Sequence, residues 1–144
     1  MKMNLEKMLS EDKIEAINTD KKLIKKSFKR SLKNLKSAKN IFKSEEYDWA
    51  LAIAYNSTLQ AGRALMFSKG YRPKGQNKHV SVIEFVHSEF GKNISSKMIK
   101  LFNNFRKKRN KVVYEEYDIV SEDEAKEAIE FAEEFLKLVK DILK

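Results

Sequence analysis

The run Trp49-Ala-Leu-Ala-Ile-Ala-Tyr55 is apolar on every side of a helix, and this segment constrains the rest of the chain. A helix without a polar face cannot lie on a surface, so other helices must surround it. The spacing predicts that this central helix runs from about Tyr47 to Lys69, with its alanines and Gly62 allowing neighbours to approach closely. Four Gly and one Pro in 144 residues leave few turns, and no segment alternates apolar and polar residues long enough for a strand. The chain reads as all-α.

Thr19 or Asp20 caps a long helix with Ile24, Phe28, Leu32, Leu35 and Phe42 as its apolar stripe and Lys and Arg opposite. Gly70 ends the central helix, and Pro73 with Gly75 keep the chain non-helical to about Asn77. A shorter helix follows over about Lys78–Phe90, carrying Val82, Ile83, Phe85 and Val86, until Gly91 stops it. Ser95 or Ser96 caps the next, which carries Met98, Leu101, Phe102, Phe105 and Val112. Ser121 with Glu124 forms a capping-box start for the last helix, whose apolar stripe continues from Ala125 to Leu143. Residues 1–18 are an N-terminal helical extension, one short helix or two, with Leu5, Met8, Leu9, Ile14 and Ile17 apolar. The expectation is an up-and-down bundle of four main helices plus a short additional helix, a single domain over residues 1–144.

The absence of Cys excludes disulfides, Cys-ligated zinc, iron–sulfur clusters and thiol nucleophiles. Two His leave little material for a histidine-rich metal site, so neither metal nor cofactor is expected. The Gly residues are scattered singly, without a phosphate-cradling loop, and no Ser sits in a nucleophile elbow. Glu45, Glu46 and Asp48 begin a helix, where carboxylates complement the macrodipole. No run approaches the ~18 apolar residues of a membrane span, and the Lys-rich start lacks the apolar core of a signal peptide. A soluble cytoplasmic protein is expected.

The net charge of +9 is unevenly spread. Lys21–Lys43 holds ten Lys/Arg and no acid, and Lys97–Lys111 holds seven more, again without an acid. Glu115–Lys144 carries eleven acids against four Lys. Such blocks suit either a polyanionic partner or electrostatic docking of the chain's own surfaces.

The densest polar cluster is Arg106-Lys-Lys-Arg-Asn-Lys111, ahead of Tyr114 and Tyr117. Cations near a helix C-terminus complement its dipole. Arg106 and Arg109 also share one face with Asn110 beside them, and guanidinium forks match phosphate oxygens. Taken with Ala50–Met66, Gly70-Tyr-Arg-Pro73 and the Ala-rich last helix, this arrangement resembles the HEPN superfamily over about Asp20–Leu143. Those small helical bundles occur in toxin–antitoxin pairs with minimal nucleotidyltransferases and in many RNases. The family's RNase signature is Arg, often followed by a polar residue, with His four to six residues on. Arg109-Asn110 matches its first half, and Tyr114 stands where His is usual.

The resemblance implies a dimer whose two Arg109–Tyr114 ends face each other across a basic cleft, with RNA or a nucleotide as ligand. Arg109 would hold phosphate, Arg106 and Lys108 would steer the backbone, and Tyr114 would position sugar or base, with Asn110 adding an amide. In family terms the reaction is metal-free attack of a ribose 2′-OH on the adjacent phosphate, His assisting. A tyrosine hydroxyl, about 0.1% ionised at pH 7, is a poor replacement for that base.

His79 follows Arg72 at the same literal spacing, but in the loop of Pro73 and Gly75, away from the motif's place. It replaces the missing base only if the fold brings that loop beside Arg109. His87 reads as a surface or half-buried structural residue. Asn56, Gln60 and Arg63 form a polar stripe that either satisfies its own hydrogen bonds or lines the same pocket as Arg109. Arg63 there needs an anion such as Glu84, or a ligand. Two further functions stay open: a non-catalytic module docking a nucleotidyltransferase or another helical protein, and an electrostatic nucleic-acid binder using Lys21–Lys43.

Overall fold

The computed structural model describes residues 3–144. Its helices are α1 (Leu5–Ser10), α2 (Lys21–Lys43), α3 (Tyr47–Ser68), α4 (Lys78–Glu89), α5 (Ser96–Tyr114) and α6 (Glu122–Ile142). Four are long and α4 is short, as expected for the all-α bundle. The caps are local chemistry. Asp20 accepts from the Lys22 amide at 2.8 Å, and Ser95 from the Met98 amide at 3.2 Å. Ser121 and Glu124 close a reciprocal capping box, each side chain 3.1 Å from the other's amide.

Helix α3 is the axle. It packs against α2, α4, α5 and α6 and buries most of its residues from Ala50 to Met66. Trp49 departs from the expectation, being 53% exposed at the first turn, where no neighbouring helix covers it. At Gly62 α4 presses close: a Cβ there would stand 2.7 Å from Cγ1 of buried Val82. Gly62→Ala gains about 1 kcal/mol in helix propensity, but overpacking beside a branched side chain costs about 1–3 kcal/mol. A net loss of about 1 kcal/mol is expected, read as a lower midpoint in thermal unfolding by circular dichroism. A raised midpoint would mean that α4 yields at this point.

Two expectations need correction. Ile14 and Ile17 are not helical: α1 ends at Ser10, Asp12 turns the chain with φ 56°, and Ile14–Ala16 forms strand β1. It pairs antiparallel with β2 (Tyr71–Pro73), Ile14 opposite Pro73 and Ala16 opposite Tyr71. The Ile17 amide extends the ribbon to the Gly70 carbonyl at 2.8 Å, and buried Ile14 pins it to the core.

Helix α2 uses its expected stripe only in part: Phe28, Leu35 and Phe42 pack against the core. It turns Ser27, Ser31 and Ala38 toward α3, while Leu32 is 48% exposed. The small residues let the two helices meet, and hydroxyls fix the contact. Ser27 Oγ donates to the Gln60 carbonyl at 2.8 Å, and Ser57 Oγ to the Ser31 carbonyl at 2.7 Å. Among the described residues, no helix is long and apolar enough to cross a membrane.

Candidate functional site

Helix α5 buries Ile99, Phe102 and Val112. Farther along the helix, and one turn after another, come Arg106, Arg109 with Asn110, and Tyr114. These side chains form one wall of an open cleft of about 410 Å³. Arg63 of α3 forms another, and Gly75–Val80, the loop after β2 and the first turn of α4, closes the third. Among the described residues, the lining holds four cations, Lys78 among them, and no carboxylate.

The acids of the neighbouring ribbon and of α4 are engaged elsewhere. Glu84 takes Lys13 at 3.2 Å rather than Arg63, and Glu15 takes Arg72 across the β-ribbon. Among the described residues Arg63, Arg106 and Arg109 form no ion pair. Arg106 Nε donates to Asn103 Oδ1 at 2.9 Å, and Arg109 donates to Asn110 Oδ1 at 3.3 Å, both neutral acceptors. Burial, opposed by Tyr55 and reinforced by Arg30, holds the Arg63 guanidinium below its usual pKa. Three guanidinium groups sharing a partly desolvated cleft are an anion-binding arrangement.

Tyr55 and His79 lie against this cluster. The Tyr55 hydroxyl is 3.1 Å from His79 Nδ1, and the rings sit 5.7 Å apart. Burial raises the Tyr55 pKa far above its ordinary value, against the pull of the three arginines, so its hydroxyl keeps its proton. Burial, and then repulsion from Arg109, Arg63 and Arg106, lowers His79 to about 4. The imidazole is therefore neutral at pH 7. The start of α4 adds to the positive potential, because Asn77 makes no side-chain cap and the first amides of the helix lie at the cleft wall.

The model of the HEPN domain matches residues 24–142. The chain belongs to the HEPN domain family. It is similar to "Putative toxin MJ0605" of Methanocaldococcus jannaschii, 32% identical over 116 residues, covering 77% of this chain and 81% of that protein. "Putative toxin MJ0142" of the same organism is 29% identical over 108 residues, covering 75% of this chain and 71% of its own length.

In this HEPN bundle the fold brings together Arg63, His79, Arg106, Arg109, Asn110 and Tyr114. The loop of Pro73 and Gly75 does carry His79 to Arg109, while Arg72 stays on the ribbon with Glu15, so the Arg72–His79 spacing has no structural counterpart. Lys108 is not in the cleft. A step of about 100° per residue turns it from Arg109 toward α6, where its ammonium meets Glu124 at 3.2 Å. Tyr114 is 74% exposed at the rim, with the Arg109 guanidinium 6.0 Å from its ring centroid. Tyr117, 90% exposed, belongs to a separate hollow with Trp49 and Glu46.

Two contributors were missed by sequence reasoning. Tyr55 lies inside the all-apolar run and reads there as core; nothing local marks its hydroxyl. Asp48, read as a dipole complement, accepts the amides of Asp118 at 2.7 Å and Val120 at 3.0 Å. It thereby fixes the segment that follows Tyr114.

Proposed function

We propose that this HEPN protein is a toxin-type, metal-independent endoribonuclease whose arginine cleft holds an RNA phosphodiester. The observation that carries the reading is the convergence of Arg63, Arg106 and Arg109 on one cleft with no carboxylate among its described lining residues. The names of the two archaeal relatives support the toxin reading. On this reading Arg109 and Arg106 bind the non-bridging phosphate oxygens, Arg63 adds charge from the α3 wall, and Asn110 orients Arg109. Tyr114 stacks on a base or donates to the sugar.

His79 takes the place of the motif His. With Nδ1–H donating to the Tyr55 oxygen, Nε2 is free to accept the ribose 2′-OH proton. The 2′-oxygen attacks the adjacent phosphorus, the bond to the 5′-oxygen breaks, and that oxygen takes up a proton. The products are a 2′,3′-cyclic phosphate and a 5′-hydroxyl. The family's architecture suggests a homodimer with two such clefts facing each other, and a minimal nucleotidyltransferase as the antitoxin partner.

Incubation of the pure protein with a structured RNA in EDTA tests this. Cleavage leaving 2′,3′-cyclic ends, lost in Arg109→Ala and in His79→Gln and enhanced in Tyr114→His, is the expected result. Saturable binding without cleavage would reduce the site to an RNA-binding cleft. Neither binding nor cleavage across several RNAs would favour the protein-docking module.

A further inference from the structure

The N-terminal half of the α2 apolar stripe is only partly covered by the fold: Phe28 touches the core, whereas Leu32 is exposed. Ile24, Phe28 and Leu32, one per turn, line a hollow of about 820 Å³ whose other apolar walls are Phe90, Ile142 and Leu143. This is a larger and more apolar space than the arginine cleft, and shares no lining residue with it. Beside Thr19 and Ser68, its polar rim is made of lysines. Lys21, Lys25 and Lys29 form a row parallel to the apolar one on α2, and Lys69, Lys140 and Lys144 stand at the other edges. Among the described residues, no Asp or Glu lines it.

Little in the chain neutralises that rim. Among the described residues Lys21, Lys25, Lys29 and Lys140 enter no ion pair, and Lys144 has only exposed Asp141 at 3.6 Å. Lys69 lies over the Phe90 ring, 5.5 Å from its centroid. An occupant must therefore bring an apolar surface and negative charge together. A phosphate backbone matches the ammonium groups and leaves the apolar floor wet. A second copy of this chain has an acidic helix in α6, but its apolar face, Ala125 through Val139, is already buried in its own core.

We propose that this groove docks an amphipathic helix of a partner protein, with an apolar stripe flanked by Asp and Glu. The spacing fits that occupant. Lysines four residues apart recur about every 6 Å along α2, the repeat of carboxylates four residues apart on a facing helix. From Lys21 to Leu32 the wall is about 17 Å long, or three helical turns. The apolar contact supplies affinity and the lysine row sets polarity and register.

The test uses a fluorescein-labelled peptide of about 15 residues with a Leu stripe flanked by Glu. Its partners in the experiment are a peptide of the same composition with the stripe scrambled, a version with Lys for Glu, phosphatidylglycerol vesicles and a short RNA. The striped acidic peptide should bind saturably and about tenfold more tightly than the scrambled one. Leu32→Glu should weaken it by about tenfold or more, and Lys25→Glu with Lys29→Glu should transfer preference to the Lys version. These side chains are on the surface, so circular dichroism should stay unchanged, and RNA cleavage should be unaffected. Equal binding of striped and scrambled peptides, or indifference to Leu32→Glu, overturns the proposal. So does groove-dependent binding of vesicles or RNA with none of the peptide.

Discussion

Glutamine at Arg63, Arg106 and Arg109 together should lower RNA affinity by about a thousandfold and leave the folded protein no less stable. Each charge-assisted bond to a phosphate contributes about 1.5–3 kcal/mol, and a combined loss of about 4 kcal/mol is already a thousandfold. The stability half follows from what surrounds the arginines. Their hydrogen-bond acceptors are the neutral Asn103 and Asn110, and no ion pair holds any of them among the described residues. Glutamine keeps most of the side-chain stem while relieving mutual repulsion, so thermal midpoints should hold or rise. Titration of labelled RNA at fixed salt, beside thermal melts of the same samples, reads both halves. The dependence of affinity on salt should also flatten by about two units of log–log slope on single-stranded RNA. A loss of less than about tenfold would move RNA binding to the lysines of α2, the purely electrostatic reading.

How far this cleft was legible depends on what each residue needs from the rest of the chain. Arg106, Arg109, Asn110 and Tyr114 sit on one helix, so 3.6-residue spacing alone places them together. The same arithmetic, applied strictly, separates Lys108 from Arg109, and Glu124 on the neighbouring helix accounts for its position. Arg63 was recognisable as a cation on a buried helix needing a partner. That Glu84 would instead face Lys13 depends on where β1 places residue 13, and nothing local encodes it. His79 needed the turn after Pro73, and Tyr55 looked like any apolar neighbour.

The fold shows the same limit. Capped long helices were readable, whereas a three-residue ribbon is too short for a period to register. Which residues of α2 are most deeply buried was not readable either, because the helix carries two plausible faces. Serine hydroxyls bonding to backbone carbonyls made the small face, rather than the apolar one, the partner of α3.

The free protein should show one histidine titrating near 4, and RNA binding should raise that value. The sign can be worked through from the site. A free histidine takes its proton near 6.5 and folded His79 near 4, so between these values the unfolded chain holds more protons. Stability from this group is complete above pH 6.5 and falls as pH drops toward 4. Because the ring is half-buried, solvent screening leaves about 1–2 kcal/mol of the effect. Burial lowers the pKa first and the three arginines lower it further; a bound phosphodiester cancels the second contribution. RNA should therefore bind more tightly as pH falls from 6.5 toward 4, with proton uptake by His79. It would also make His79 a better base with substrate present than without it. Imidazole carbon-bound proton resonances, assigned with His79→Gln and followed with a 2′-O-methyl RNA that cannot be cleaved, read the pKa directly. A free-state value near 6.5 would remove His79 from the arginine field. A value near 4 that does not move on RNA binding would place the phosphate elsewhere.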